Sequence, residues 1–332
     1  MTWIESHGAW SPYWMVGVFL GASFVTIWRL ESMSSGGLEG TVLGTLVTPY
    51  ITGMGNLIFA FVLARKGGAA TDVFTNCLVN NVTNMTLVLG VPAAIWKLNL
   101  RPEKSATAKK TAKLKKSPPI HTINRLSLLL TLTAVLFFTG ATWALGKDGH
   151  IGFNDGLVLV GLFLFWQCIH IFDVLKTNAS QNRSFSWLLP LDLAILAIGA
   201  YAIYISTDWL VDWISKIHTG FISVKYLGWL SGWLMVLPNA LLAIYYAATK
   251  RPEVVYTSQV GDNHICIPLC IGVFALYQTI AVPAFFEPGV WILMGATLVH
   301  FFFIAILGRL PRIAGWLLIA AYGYFLYAGL LK

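Results

Sequence analysis

The sequence predicts an all-α integral membrane protein whose ten transmembrane helices form two inverted five-helix repeats, with broken second and seventh helices. Three observations predict this fold class. The 332 residues are 57% hydrophobic and 11% charged, with a mean hydropathy of +0.71, whereas soluble domains carry about 25% charged residues. Long apolar runs recur from one end of the chain to the other. Three sequence blocks of the first half also recur, in the same order, in the second half.

Each apolar run is long enough to cross a bilayer, because a transmembrane helix needs about 20 apolar residues. The N-terminal stretch lacks a basic region before its first apolar run and has no A-x-A site, so we expect no cleaved signal peptide. The ten predicted spans are residues 12–30, 38–64, 72–96, 126–146, 153–175, 187–206, 221–248, 259–281, 288–308 and 312–331.

A basic loop separates the third and fourth spans. Residues 97–125 carry nine of the 22 lysines and arginines, so we expect them to lie in water. With ten spans, sixteen basic residues fall on the side of this loop and six on the side of the termini. The positive-inside rule then predicts a cytoplasmic loop and extracytoplasmic N- and C-termini. We expect a multi-pass protein of the plasma (inner) membrane, and the net charge of +8 does not indicate nucleic acid as a partner.

Internal symmetry predicts how the spans are arranged. Three blocks of the first half each match a block of the second half. In two of these pairs of blocks an asparagine precedes the apolar run, and in the third pair a short polar stretch with glycine precedes it. Because five is an odd number, two five-span repeats have opposite orientations in the membrane. Inverted repeats are typical of transporters, whose binding sites lie near the midplane between the repeats. The matching blocks are 53–67 with 237–251, 80–91 with 262–273, and 151–171 with 312–331.

These blocks divide the chain into two domains. Residues 1–96 and 126–176 form the first inverted repeat, which the loop 97–125 interrupts, and residues 187–332 form the second.

Proline and glycine interrupt the second and seventh spans. The second span contains Pro49, Gly53 and Gly55, and the seventh contains Pro238. Proline removes a backbone donor, and inside a membrane the freed carbonyls must be satisfied by other groups. Asparagines occur in the same blocks, and amide and backbone carbonyl oxygens are hard ligands for Na⁺, Ca²⁺ or a similar cation.

With these features the chain resembles the calcium/cation antiporter superfamily, the sodium/calcium exchangers and their relatives. ITGMGN (51–56) and LMVLPN (234–239) stand where the family has G-T-S-L-P-E. VNNVTN (79–84) and GDNHIC (261–266) stand where it has G-S-N-x-x-N. STDWLVDW (206–213) resembles the turn after the first helix of a family repeat. The resemblance covers nearly the whole chain and implies a secondary active transporter rather than an enzyme.

The resemblance also implies a set of ion ligands. In the family each first block ends in an ion-binding glutamate, whereas this chain has Asn56 and Asn239. Asp262 is the sharpest candidate, because a carboxylate within a span marks a functional site. Asn76, Asn80 and Asn84 fit an alternative role as hydrogen-bonding residues between helices. The implied metal ligands are Thr52, Asn56, Asn80, Asn81, Asn84, Asn239, Asp262 and Asn263.

The loss of two carboxylates predicts altered ion chemistry. At ~4 Å and an effective dielectric constant near 20, each carboxylate contributes about 4 kcal/mol of attraction for a unit charge. We predict a cation antiporter of the sodium/calcium exchanger type that works by alternating access with altered ion specificity. One alternative is a proton-coupled or monovalent-cation exchanger that uses Asp262 and His264, since histidine changes charge near neutral pH. His264 also fits a polar packing role, and a second alternative is a non-transporting membrane scaffold or sensor.

The predicted ligands are the transported cations, Ca²⁺, Na⁺ or H⁺, and we expect no cofactor. The predicted partners are inorganic cations and the lipid bilayer, while the sequence leaves the oligomeric state open and is compatible with a monomer.

The remaining ionisable residues receive structural interpretations. Asp192 lies about five residues into the sixth span, where we favour a structural role over a gate or proton site. Asp208 and Asp212 are predicted to lie in the extracellular connection as a solvated face. We assign no role to His170, Asp173 and His300. The four cysteines are interpreted as small buried hydrophobic residues; they are Cys77, Cys168, Cys266 and Cys270.

Overall fold

Ten main helices follow one another in the part of the chain that the computed structural model describes. Eight of them are long and apolar enough to cross a membrane, which agrees with the predicted fold class. The described residues are 10–35, 50, 53–96, 98–100, 120–178 and 189–332.

Each predicted repeat contains five of these helices. The first has α1 (Ser11–Ser35), α2 (Met54–Lys66), α3 (Ala70–Trp96), α4 (Ile120–Leu145) and α5 (Phe153–Asn178). The second has α6 (Leu189–Ser215), α7 (Leu227–Ala248), α8 (Pro252–Tyr277), α9 (Phe286–Leu307) and α10 (Arg312–Leu326). Two short strands, β1 (His150–Ile151) and β2 (Ile280–Ala281), lie in the connections α4–α5 and α8–α9.

Helices α3 and α8 form the centre of the molecule. Of their most apolar windows, 83% and 78% are buried, whereas no other candidate span exceeds 56%. Each of the two helices is interrupted by a π-helical turn, Asn84–Val88 in α3 and Ile265–Cys270 in α8. Asn84 and Cys266 are equivalent positions in the matching blocks 80–91 and 262–273. The interruptions therefore obey the symmetry that the sequence predicts, and π turns inside helices often mark functional sites.

The predicted break in the seventh helix is wrong. Helix α7 runs without interruption from Leu227 to Ala248, with Pro238 buried inside it. One proline removes only one backbone hydrogen bond, which neighbouring groups in a helix bundle compensate. Helix α2 begins at Met54 after Gly53. The upstream part of the second span, including Pro49, lies outside the described residues, so a break there stays a prediction.

The central helix of each predicted repeat packs against the last helix of the other. Helix α3 packs on α10, and α8 packs on α5. Glycines permit both approaches: a Cβ at Gly90 would lie 3.0 Å from Gly315 O, and one at Gly156 would lie 2.8 Å from Gly272 O. Gly90 and Gly272 are equivalent positions in the matching blocks, so the two contacts follow the internal symmetry.

The inter-helix connections also join the two halves. Strand β1 pairs with β2, with Ile151 opposite Ile280. An isolated bridge between Asn99 and Arg309 joins the segment after α3 to the α9–α10 connection. These short ladders satisfy backbone groups beside the ends of the central helices.

Helix α6 is longer than predicted, so the placement of Asp208 and Asp212 in a connection after that helix is wrong, whereas their extracellular location stays a prediction. The helix continues to Ser215, and both carboxylates bind the C-terminal end of α2. Lys66 Nζ lies 3.0 Å from Asp208 Oδ1 and 2.6 Å from Asp212 Oδ1, and Arg65 Nη2 lies 2.7 Å from Asp208 Oδ1. The basic partners offset the charges of both carboxylates.

Two other boundaries differ from the predicted spans. Helix α8 begins at Pro252 rather than near residue 259, because proline is favoured in the first turn of a helix. Helix α7 begins at Leu227, after a 3₁₀ turn at Val224–Tyr226. Most of the basic loop, residues 101–119, lies outside the described residues.

Candidate cation site

Asp262 is the hub of a buried hydrogen-bond network between the two halves. The side chain lies on α8 just before the π turn and is fully buried. Its Oδ2 accepts hydrogen bonds from Asn80 Nδ2 and Asn84 Nδ2, both at 3.0 Å, and from Asn239 Nδ2 at 3.4 Å. The carboxylate is thus held by three amides from α3 and α7.

A second set of hydrogen bonds joins α3, α7 and α8. Asn81 Nδ2 donates to Asn263 O at 2.9 Å, and Asn263 Nδ2 donates to Gln259 O at 2.7 Å. Gln259 Nε2 donates to Asn239 O at 3.2 Å. Because both halves contribute to each set, the site lies at their interface, as inverted-repeat binding sites do.

Seven buried side-chain oxygens of this region receive no hydrogen bond. An unsatisfied buried polar atom costs about 1–3 kcal/mol, and the net stability of a domain is only about 5–15 kcal/mol. Seven such atoms together would cost about as much as the whole stability of the fold unless water or a ligand compensates them. Hard oxygen atoms are the ligands that Na⁺ and Ca²⁺ prefer. The atoms are Asn56 Oδ1, Asn80 Oδ1, Asn84 Oδ1, Asn239 Oδ1, Gln259 Oε1, Asp262 Oδ1 and Asn263 Oδ1.

The amino end of α2 approaches the free carboxylate oxygen. A Cβ at Gly53 would lie 2.9 Å from Asp262 Oδ1 and 2.6 Å from Ile265 Cγ2, so this position accepts only glycine without rearrangement. Asn56 lies on the first turn of α2 and is buried. The partial positive charge at a helix amino end stabilises a nearby carboxylate.

The donor set is mostly neutral. Within the described ranges, no cluster of three or more His, Cys, Asp or Glu side chains has a geometry that fits a metal ion. The site instead combines the single carboxylate of Asp262 with amide oxygens. Cys266 Sγ lies 3.2 Å from Asn80 Nδ2 and borders the site. A set with one carboxylate attracts a divalent cation less strongly than a set with several carboxylates does.

Two sequence candidates remain, Thr52 and His264. Thr52 lies outside the described residues, so its role stays a prediction. His264 is buried, and its ring meets that of Trp166 on α5 edge-to-face with centroids 6.3 Å apart. Its ring therefore contacts α5, whereas Asp262 binds amides of α3 and α7.

Sequence reasoning missed Gln259 and Gly53 as parts of this region. Gln259 lies three residues before Asp262, one helical turn away, and a search for polar residues at i−3 from the carboxylate would have found it. Gly53 was identified only as a helix breaker. By contrast, Asn76 Nδ2 donates to Ser231 Oγ on α7 at 3.1 Å, which matches the alternative of asparagine as a link between membrane helices.

The interpretation of the cysteines as buried hydrophobic residues is wrong at one position. Cys77, Cys266 and Cys270 are buried, whereas Cys168 on α5 is exposed. Because α5 is an apolar outer helix, this thiol faces the side of the helix away from the core.

Two cavities are lined by residues of α1, α2, α6 and α7. The smaller, about 10 Å³, reaches Asn239 and is lined by Phe19, Ser23, Gly55 and Met235, among others. The larger, about 290 Å³, is mainly apolar and is lined by residues such as Tyr13, Phe59, Leu210 and Met235. Met235 borders both cavities. Arg29 on α1 forms an ion pair with Asp192 on α6, which joins these two helices to each other.

The chain is similar over most of its length to one known protein family. A family model described as "Sodium/calcium exchanger protein" matches residues 8–172 and 191–331, one segment in each half. No curated relative matches the sequence.

Solved structures of the sodium-calcium exchanger NCX_Mj are similar to this chain. One, soaked with 100 mM Na⁺ and 10 mM Sr²⁺, has a TM-score of 0.66 and 19% identity, and the match covers 98% of this chain and 98% of that chain. Another, soaked with 2.5 mM Na⁺ and 10 mM Sr²⁺, has a TM-score of 0.65 and 18% identity over 93% and 94% of the two chains. A third, with zero Na⁺ and Ca²⁺, has a TM-score of 0.59 and 17% identity over 93% and 98%. At these identities the likeness concerns the fold.

Proposed function

The chain belongs to the sodium/calcium exchanger protein family, and on this premise we propose that it exchanges cations at a site formed by Asp262 and the surrounding amides. The family assignment confirms the resemblance inferred from the sequence motifs. It makes the protein a cation antiporter, a secondary transporter rather than an enzyme. The identity of the ion and the residues that bind it are our proposal.

One observation supports the site above all others. Asp262 is fully buried and hydrogen-bonded by amides from both halves, while its second oxygen and six amide oxygens around it receive no hydrogen bond. A buried cation would satisfy these oxygens and offset the carboxylate charge. The same groups would lack a compensating partner in a purely structural network, where buried polar groups are normally paired.

We propose that the ion specificity departs from that implied by the family's two glutamates. Asn56 and Asn239 carry no charge, so Asp262 is the one carboxylate in the donor set. A single negative charge is neutralised by a monovalent cation, and Ca²⁺ affinity falls because each lost carboxylate removes about 4 kcal/mol of attraction per unit charge at ~4 Å. This count favours a second candidate, exchange of a monovalent cation or a proton at Asp262. Because His264 packs on Trp166, we assign proton coupling to Asp262.

We further propose alternating access in which α1 and α6 move together past the other helices. Two features support it. The Arg29–Asp192 ion pair joins α1 to α6. Two cavities interrupt the packing between this pair and α2 and α7. In this proposal the cluster of Asp208, Lys66 and Arg65 holds α6 on α2 in one state and must open in the other.

The proposal is tested by ion flux in proteoliposomes that contain the purified protein. Uptake of labelled Ca²⁺ and Na⁺ is measured under opposing gradients at two pH values. Sodium-driven Ca²⁺ uptake would mean that the amides and one carboxylate suffice for exchange of the family type. Monovalent or proton-coupled flux without Ca²⁺ movement would support the second candidate. Absence of ion flux under every gradient, in protein shown to be folded, would overturn the proposed transport function and favour a scaffold or sensor.

A further inference from the structure

His300 links three helices at a distance in sequence from the candidate ligands. The side chain on α9 is fully buried. Its Nε2 lies 2.8 Å from Met85 O in α3, and its Nδ1 lies 3.3 Å from Tyr256 Oη in α8. Because a carbonyl oxygen only accepts, the ring proton lies on Nε2 and donates to Met85 O. With one ring proton, Nδ1 then accepts from the Tyr256 hydroxyl.

The carbonyl that His300 binds, Met85 O, loses its usual α-helical hydrogen-bond donor at the π turn. In an α-helix, Leu89 N–H would donate to Met85 O, four residues earlier. Here Leu89 N–H instead reaches Asn84 O, five residues earlier. Within a membrane a displaced carbonyl needs another donor, and the Nε2–H of His300 supplies it.

The same π turn carries one of the amides that bind Asp262. Asn84 is the first residue of the turn, and its Nδ2 donates to Asp262 Oδ2 at 3.0 Å. Asn80, one helical turn earlier, donates to the same oxygen. The backbone geometry at residues 84–88 therefore fixes where these amides stand relative to the carboxylate.

We propose that His300 is a positioning residue for cation binding, which acts by holding the π turn of α3 against α8 and α9. The inference rests on the proposed cation site. Loss of the Nε2 donor would let the turn revert towards α-helical pairing, in which Leu89 N–H takes back Met85 O. Asn84 would then rotate away from Asp262, and cation affinity would fall although His300 touches no ion.

Two variants distinguish the effect of the His300 hydrogen bond from the effect of its side-chain volume. His300→Phe fills the same space without a donor, whereas His300→Gln keeps an amide N–H that can reach Met85 O. Cation dependence of the initial flux rate is measured for both variants in proteoliposomes, together with thermal unfolding in the absence of cation. His150→Gln serves as a matched control, because His150 is exposed in the α4–α5 connection.

The half-saturating cation concentration is expected to rise about tenfold in His300→Phe, the effect of one buried hydrogen bond, with the maximal rate little changed. His300→Gln is expected to stay within about threefold of wild type. If His300→Phe does not fold, Tyr256→Phe, which removes only the Nδ1 partner, is expected to give a smaller increase in the same direction.

Unchanged half-saturation in a folded His300→Phe protein, or equal losses in the Phe and Gln variants, would overturn the positioning role. If only Tyr256→Phe can be measured, wild-type half-saturation in that variant would overturn it. Absence of saturable flux in the wild type would instead overturn the proposed function, so the two failures are distinguishable.

Discussion

Asn80 and Asp262 occupy equivalent positions in the two matching blocks, and Asn80 Nδ2 donates to Asp262 Oδ2 over 3.0 Å. The pair lies across the interface of the two halves, where the internal symmetry brings equivalent positions together. Two carboxylates there would repel each other, whereas an amide and a carboxylate form a charge-assisted hydrogen bond. The difference between the two residues leaves the site with one negative charge rather than two.

Introducing the two glutamates that the family resemblance implies should raise Ca²⁺ affinity. In the double variant Asn56→Glu, Asn239→Glu, each new carboxylate adds attraction for a divalent ion, partly offset by its desolvation and by repulsion from Asp262. We expect Ca²⁺ binding at least tenfold tighter than wild type, which is about 1.4 kcal/mol. Binding is measured by isothermal titration calorimetry in detergent.

The matched control for this change is Asn56→Gln, Asn239→Gln, which has the same side-chain length without the charge. Thermal unfolding provides a second readout: the glutamate variant should be less stable than the control without cation and should regain stability with Ca²⁺. Equal Ca²⁺ affinities in the two variants would show that neither position lies near the ion.

Adding one methyl group at Gly53 should disturb the site. In Gly53→Ala the new Cβ would lie 2.6 Å from Ile265 Cγ2 and 2.9 Å from Asp262 Oδ1, so α2 or α8 must move. We expect cation affinity to fall about tenfold, an effect of the size that a small misplacement of an ordered site produces. The measurement is the cation dependence of flux.

Gly161→Ala on α5 is the control for this change, because a Cβ there meets nothing within 4 Å. The control should keep wild-type flux and gain a little stability, since alanine is the better helix former. A wild-type response from Gly53→Ala would contradict the close approach of α2 to the carboxylate.

Removal of only one charge of the Arg29–Asp192 ion pair should reduce the stability of the fold. The side chains are only 15% and 8% exposed, so Asp192→Asn leaves a largely buried guanidinium without its counter-ion. We expect a loss of stability of about 3 kcal/mol, measured by chemical or thermal unfolding in detergent. The double variant Arg29→Met, Asp192→Leu removes both charges and should be more stable than Asp192→Asn. The reverse order would contradict the buried-pair interpretation.

The sequence predicted the number and order of the helices because apolar length is a local signal. The resemblance to the exchanger family also implied that Asn80, Asn84 and Asp262 share one site, and the structure places the three side chains in hydrogen-bond contact. The sequence did not predict the π turns. The segment Asn84–Val88 contains no glycine or proline, and its backbone is held by a distant contact, that of His300 with Met85 O.

The opposite error occurred at Pro238. Proline predicts a helix break, but the surrounding helices tolerate this proline and α7 is continuous. Gln259 was missed for a related reason: it is the first residue of the predicted span 259–281, and its hydrogen bond to Asn239 O on α7 leaves no pattern within that span. Both cases depend on contacts between helices far apart in sequence, which residue patterns within one span do not contain.

The measurement that tests the account most directly is cation binding to the purified protein and to Asp262→Asn, titrated with Na⁺ and with Ca²⁺ by calorimetry. Asp148→Asn is the matched control, because Asp148 is an exposed carboxylate in the α4–α5 connection. We predict saturable binding in wild type and Asp148→Asn, and its loss in folded Asp262→Asn. Wild-type affinity in Asp262→Asn would contradict the claim that this carboxylate holds the transported ion.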